Sequence, residues 1–204
     1  MTEGLPLVTL ITDRRRLGGR DVVALTRDAS RAGVDRVQVR EKDLAGRDLR
    51  ALVGDIVAAA SGTAARVLVN GRPDVALAAG AHGVQLPEDG LPVSATRRGF
   101  PGLEVGASRH TVEGARRAED EGADFVLLGP IFATPGKGGR ALGLGPLAEA
   151  ARQLTIPVHA VGGIDAGNAR LAVEAGARGV AAIRAFCEGP VAEAVRALRA
   201  AARA

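Results

Sequence analysis

The chain has 204 residues, a hydrophobic fraction of 47%, one cysteine and a net charge of only +4. That length suits one domain and a sizeable core. A lone Cys187 excludes an internal disulfide, and the early break of every apolar run by Gly, Arg or Asp excludes a membrane-spanning helix.

The N-terminus lacks a basic segment followed by an apolar stretch, so a cytoplasmic location is expected. Basic residues are interspersed with acids, Tyr and Trp are absent and Phe numbers four. Neither a basic stripe nor a stacking platform for nucleic acid is therefore expected. Cys187 reads as a small buried apolar residue. Of the 27 basic residues only Lys42 and Lys137 are lysines.

Taken in chain order, short apolar segments alternate with amphipathic, Ala-rich ones. The predicted strands are Leu7–Thr12, Arg36–Val39, Arg66–Val69, Gly83–Leu86, Glu104–Ala107, Phe125–Leu128, Val158–Val161 and Gly179–Ile183. The predicted helices are Asp21–Ala32, Arg47–Ala60, Asp74–Ala79, Val93–Gly99, Val112–Glu121, Pro146–Gln153, Asn168–Ala175 and Pro190–Ala202. A weak repeat punctuates them: "AGVDRVQV", "AGAHGVQL", "EGADFVLL" and "AGARGVAA". In each, Gly33, Gly80, Gly122 or Gly176 ends a helix and a strand begins shortly after. The spacings of 47, 42 and 54 residues are each about two strand-plus-helix units. The pattern predicts a (β/α)8 TIM barrel in one domain, with a doubly wound open sheet as the alternative.

In such a barrel the functional groups follow the strands' C-terminal ends. Here those positions hold Asp13, "REK" (40–42), "NGR" (70–72), "PED" (87–89), "SRH" (108–110), the long "GPIFATPGKGG" loop (129–139), "GGI" (162–164) and "RAF" (184–186). Gly162 and Gly163, with the start of the helical segment after strand eight, are expected to present N–H groups to a phosphate. Arg40, Lys42 and Lys137 could hold a second acidic group across the mouth. His110 is the candidate acid/base, the alternative being a cap on the helix that begins near Thr111. His159 reads as barrel-lining and His82 as surface. No zinc-type ligand spacing, nucleophile elbow or phosphate-binding P-loop appears.

The segments "QVREK" (38–42), "VNGRPDVALAAGAHGVQL" (69–86), "GASRHT" (106–111), "GADFVLLGPIFAT" (122–134) and "IPVHAVGGI" (156–164) resemble the thiamine phosphate synthase and thiazole tautomerase superfamily. The resemblance runs nearly the whole chain. It implies a phosphate-binding barrel acting on a small phosphorylated thiazole, and a homodimer. Synthases join a pyrimidine pyrophosphate to a thiazole phosphate with magnesium held by two aspartates. Gly71 and Gly90 stand at those positions here, with Glu88 and Asp89 one or two residues away. Gly136 and Arg184 replace a synthase threonine and a small residue. "GRPDVAL" (71–77) and "VQLP" (84–87) resemble the tautomerase branch better. The resemblance therefore implies a thiazole tautomerase with no metal and no cofactor. His110 would move the proton, and Arg40, Lys42 and Lys137 would face the substrate carboxylate. Gly162, Gly163, Ile183 and Arg184 would hold the phosphate, and Asn70, Ser108 and Thr134 complete the expected substrate contacts. A synthase with displaced metal ligands is the alternative. A non-catalytic phosphate-binding regulator is the alternative of another class.

Overall fold

The computed structural model describes residues 6–133 and 141–203. Its strands are β1 (Leu7–Ile11), β2 (Arg36–Val39), β3 (Arg66–Asn70), β4 (Gly83–Leu86), β5 (Glu104–Arg109), β6 (Phe125–Leu128), β7 (Val158–Val161) and β8 (Gly179–Ala182). Each pairs in parallel with its neighbours in sequence, and β8 pairs back onto β1, with Leu7 opposite Gly179. The closed barrel is the expected (β/α)8 fold.

The helices are α1 (Val22–Arg31), α2 (Gly46–Ala60), α3 (Pro73–Ala78), α4 (Val93–Gly99), α5 (Val112–Asp120), α6 (Leu144–Gln153), α7 (Ala169–Glu174), α8 (Arg184–Cys187) and α9 (Val191–Arg203). Expected and observed ends differ by one or two residues, as fraying ends do. Among the described residues, periodicity missed a three-residue 3-10 turn at Arg14–Arg16 and the helix α8. At three and four residues both are too short to carry a period.

Burial divides the core in two. A large shell packs the outward faces of the strands against the helices, with Val8, Leu10, Val37, Val84, Val126 and Leu147 fully buried. A second, smaller cluster of Ile11, Leu68, Phe125, Leu127 and Ala181 fills the bore. Both faces of each strand are thus covered, which is why β4, β6 and β8 are buried along their whole length.

The half-repeat has a physical purpose at the barrel's lower rim. Gly33, Gly80, Gly122 and Gly176 all have positive φ, between 70° and 98°. That left-handed turn needs no Cβ and ends each helix. In the first three repeats the residue two positions later carries a side chain that accepts a hydrogen bond; in the fourth it is Arg178. Asp35 Oδ2 accepts from the Val8 backbone N–H at 2.7 Å, and Asp124 Oδ2 accepts from that of Val105 at 2.7 Å. In the copy between them His82 Nδ1 accepts from the Val67 N–H at 3.0 Å. His82 is exposed, as expected, yet it also satisfies the Val67 N–H of β3.

Cys187 departs from expectation: it is half-buried at the end of α8 rather than buried. Burial still pushes its thiol up from the usual value.

Candidate active site

Among the described residues, seventeen at the C-terminal ends of the strands line a cavity of about 680 Å³. Arg40, Lys42, Asn70, Ser108, His110, Gly162 and Ile183 all line it. The sequence pattern named these seven from the ends of five different strands, and the barrel brings them together. Gly163 and Arg184 do not line the cavity. Arg184 opens α8 beside it, with its guanidinium 3.9 Å from Glu188. Thr134 and Lys137 lie outside the described residues.

The floor is polar and cross-linked between strands. Gln38 Nε2 donates to Asn70 Oδ1 at 3.0 Å, joining β2 to β3. Gln85 Nε2 donates to Ser108 Oγ at 2.9 Å, joining β4 to β5. Gln38 and Gln85 are both buried. Neither was singled out as a site residue, because a lone Gln inside an apolar strand carries no spacing signal.

On one wall the Arg40 backbone N–H donates to Thr12 Oγ1 at 2.9 Å. The buried Glu41 accepts the Arg14 backbone N–H with both oxygens, at 3.1 and 3.2 Å. This fixes the loop after β1 against the loop after β2. Arg40 and Lys42 also border a second hollow of about 350 Å³, shared with Asp13, Arg15, Glu41 and Asp43. Asp43 pairs with Arg14 and Arg15, which help hold its carboxyl below the usual range against the opposing effect of desolvation.

The opposite wall carries His110. Its Nδ1 meets the Gly129 carbonyl, so Nδ1 is the donor and Nε2 turns to the mouth. Nε2 lies 3.7 Å from Glu88 Oε2. His110 does not cap α5: Thr111 does, its Oγ accepting from the Gly114 N–H at 3.0 Å. The capping alternative thus falls away. Arg109 stands between His110 and Ser108, and desolvation by burial lowers its pKa, opposed chiefly by the nearby Glu88 carboxylate. Glu88, Asp89 and Arg109 join the cavity wall.

The glycines of the β7 loop are required by packing. A Cβ on Gly162 would sit 2.5 Å from Pro130 Cα, and one on Gly163 would sit 2.7 Å from the Phe132 carbonyl oxygen. Their φ angles are +92° and +67°. The β6 and β7 loops can approach this closely only without side chains.

A family model described as thiamine monophosphate synthase matches residues 8–186. The chain belongs to that family. It is 44% identical to a putative thiamine-phosphate synthase of Geobacter sulfurreducens, over 89% of this chain and 86% of that one. It is 42% identical to a thiamine-phosphate synthase of a Roseiflexus species, over 95% of this chain and 84% of that one. A solved thiamine phosphate pyrophosphorylase from Pyrococcus furiosus superposes with a TM-score of 0.90 at 32% identity, covering 99% of this chain and 98% of that one. The names of these relatives favour coupling over the expected tautomer shift.

Magnesium is the group this family implies. Gly71 and Gly90 offer it no side chain, and Gly71 has a φ of +68° with its N–H donated to the Gln85 carbonyl at 2.8 Å. Among the described residues no group of three or more His, Cys, Asp or Glu gathers as a metal cage. Glu88 and Asp89 nonetheless both line the cavity. Magnesium commonly anchors through one or two carboxylates plus substrate phosphates, so the residues present fit it in kind and number. Among the described residues no helix is long and apolar enough to cross a membrane.

Proposed function

We propose that this enzyme couples a pyrimidine pyrophosphate to a thiazole phosphate, as thiamine phosphate synthases do. The observation that carries the reading is one cavity of about 680 Å³ lined by cations on both sides of a carboxylate pair, in a chain 42% identical to a protein named for that reaction. That volume suits two small ring systems together.

In this reaction the thiazole nitrogen bonds to the pyrimidine's exocyclic carbon. The carbon–oxygen bond to pyrophosphate breaks, and the electron pair leaves on oxygen. Arg40 and Lys42 face the pyrophosphate, with Lys137 from the loop after β6. Asn70 and Ser108 supply hydrogen bonds beneath it, and Thr134 completes the set. His110 Nε2 points at the leaving oxygens and, when protonated, donates to them. The backbone of Gly162, Gly163 and Ile183, with Arg184 at the start of α8, takes the thiazole phosphate. Magnesium, when bound, neutralises the leaving pyrophosphate, and Glu88 and Asp89 are the carboxylates that would hold it.

A second reading is the metal-free thiazole tautomerase. It is favoured by glycines at 71 and 90 and by the Glu88–His110–Gly129 arrangement. There Nε2 would take a proton from the thiazoline ring and deliver it to the exocyclic carbon, leaving an aromatic ring.

One paired assay separates the two. Metal-stripped protein receives either the carboxythiazole phosphate tautomer or pyrimidine pyrophosphate plus thiazole phosphate, with and without magnesium. Magnesium-dependent coupling is the expected result. Aromatisation without metal and without coupling replaces the first reading by the second, and no turnover of either kind points to a binding protein.

A further inference from the structure

Below the substrate floor the bore holds a polar layer that the proposed chemistry does not use. Arg36 of β2 lies over the Phe125 ring, its guanidinium carbon 4.4 Å from the centroid. Its Nη2 is bound to Glu104 at 2.6 Å, and Glu104 also takes Arg66 at 2.7 Å. Its Nε and Nη1 are buried and meet no acceptor among the described residues. His159 of β7 is fully buried, with its ring centroid 5.2 Å from that of Phe125. Both its nitrogens lack a partner. Thr9 of β1, which pairs in register with Arg36, has an unpartnered buried hydroxyl. Gln38, two residues along β2, has an unpartnered buried Oε1 while its Nε2 holds Asn70.

These groups are complementary. Arg36 offers only donors, Gln38 Oε1 only accepts, and neutral His159 and the Thr9 hydroxyl can each do both. Water is the species that serves all of them at once, since a buried water makes about three hydrogen bonds to otherwise unsatisfied groups. We propose that ordered water molecules occupy the lower bore and bridge Arg36 to Thr9, Gln38 and His159. Through them Arg36 is a positioning residue for the Gln38–Asn70 pair at the floor of the mouth. Only Asn70's contact with substrate rests on the function proposed above.

The test needs no substrate, so its failure is distinct from failure of that reading. A near-atomic-resolution map of the wild-type protein should show water peaks within hydrogen-bond distance of Arg36 Nε or Nη1 and of Gln38 Oε1. A dry bore overturns the proposal. In the ¹H–¹⁵N spectrum, Arg36→Met should shift or broaden the Asn70 side-chain amide signals, and Arg36→Lys, which restores a donor, should bring them back. Should Arg36→Met fail to fold, Thr9→Val removes one hydroxyl at nearly constant volume. It should delete one water peak and move the same signals less. Asn70 signals unmoved in every folded variant refute the positioning role.

Discussion

The buried His159 makes the barrel sensitive to acid, and the size of the effect follows from its surroundings. Desolvation by complete burial, with a smaller contribution from the nearby Arg36 charge, lowers its pKa from 6.5 to about 3. The folded state therefore keeps the ring neutral where the unfolded chain would protonate it. Above pH 6.5 the two states bind the same number of protons and nothing is lost. As pH falls below 6.5 the unfolded state takes up a proton that the folded state refuses, and stability drops until the folded pKa is reached. The slope is about 1.4 kcal/mol per pH unit, so the loss between pH 7 and pH 5 is about 2 kcal/mol. Carboxylates held low by partners, such as Asp74 and Glu119, add their own acid sensitivity at lower pH. They do so equally in a His159→Leu variant, which leaves the bore close in volume but without a titrating group. Urea unfolding of both proteins at pH 7 and pH 5 isolates the histidine. The wild type should lose about 2 kcal/mol more than the variant over that interval. Equal losses would mean that His159 takes up its proton in the folded barrel as readily as in the unfolded chain, and the account of a ring held neutral by burial would be wrong.

His110→Ala should keep its fold and ligand affinity and lose roughly two to four orders of magnitude in turnover, read in the paired assay. A variant as active as wild type moves the proton or leaving-group role to another residue. Gly162→Ala forces a Cβ to 2.5 Å from Pro130 at a φ of +92°, so about 3 kcal/mol of stability should go, visible as a fall in thermal midpoint. Asp124→Ala orphans the Val105 N–H and breaks the pair with Arg97, and should cost about 1–2 kcal/mol in denaturant unfolding. Asp124→Asn keeps the acceptor and should recover most of it.

The barrel was legible because its cues are local. Four helices, α1, α3, α5 and α7, are closed by a glycine whose left-handed φ is a property of that residue alone, and the strands are short and largely apolar. The mouth was legible for a different reason. Once the strand ends are placed, closure of the barrel carries whatever follows them to one rim, so Arg40, Asn70, Ser108 and His110 meet without any sequence motif linking them. Gly163 and Arg184, expected beside the phosphate, stand just outside the cavity lining, a detail of the rim that strand placement alone does not give. Arg184 opens an unanticipated four-residue helix, and the close approach of the β6 and β7 loops fully explains why position 163 is glycine.

What stayed hidden is whatever depends on register across the bore. Glu88 faces His110 because the loop after β4 bends toward the end of β5, and Gln85 reaches Ser108 because those strands pair with Gln85 opposite Gly106. Glycine at 106 is itself part of this arrangement. A Cβ there would lie 2.2 Å from Gln85 Oε1 and 2.3 Å from Phe125 Cζ. Neither the glutamine nor the glycine announces the other, since each is ordinary in a strand taken alone. The same holds lower down, where Arg36, Phe125 and His159 come from three strands far apart in sequence and stack only after closure. Gly71 and Gly90 offer the rim no side chain, so under the proposed coupling Glu88 would serve the metal, and under the tautomer shift it would serve His110, 3.7 Å away.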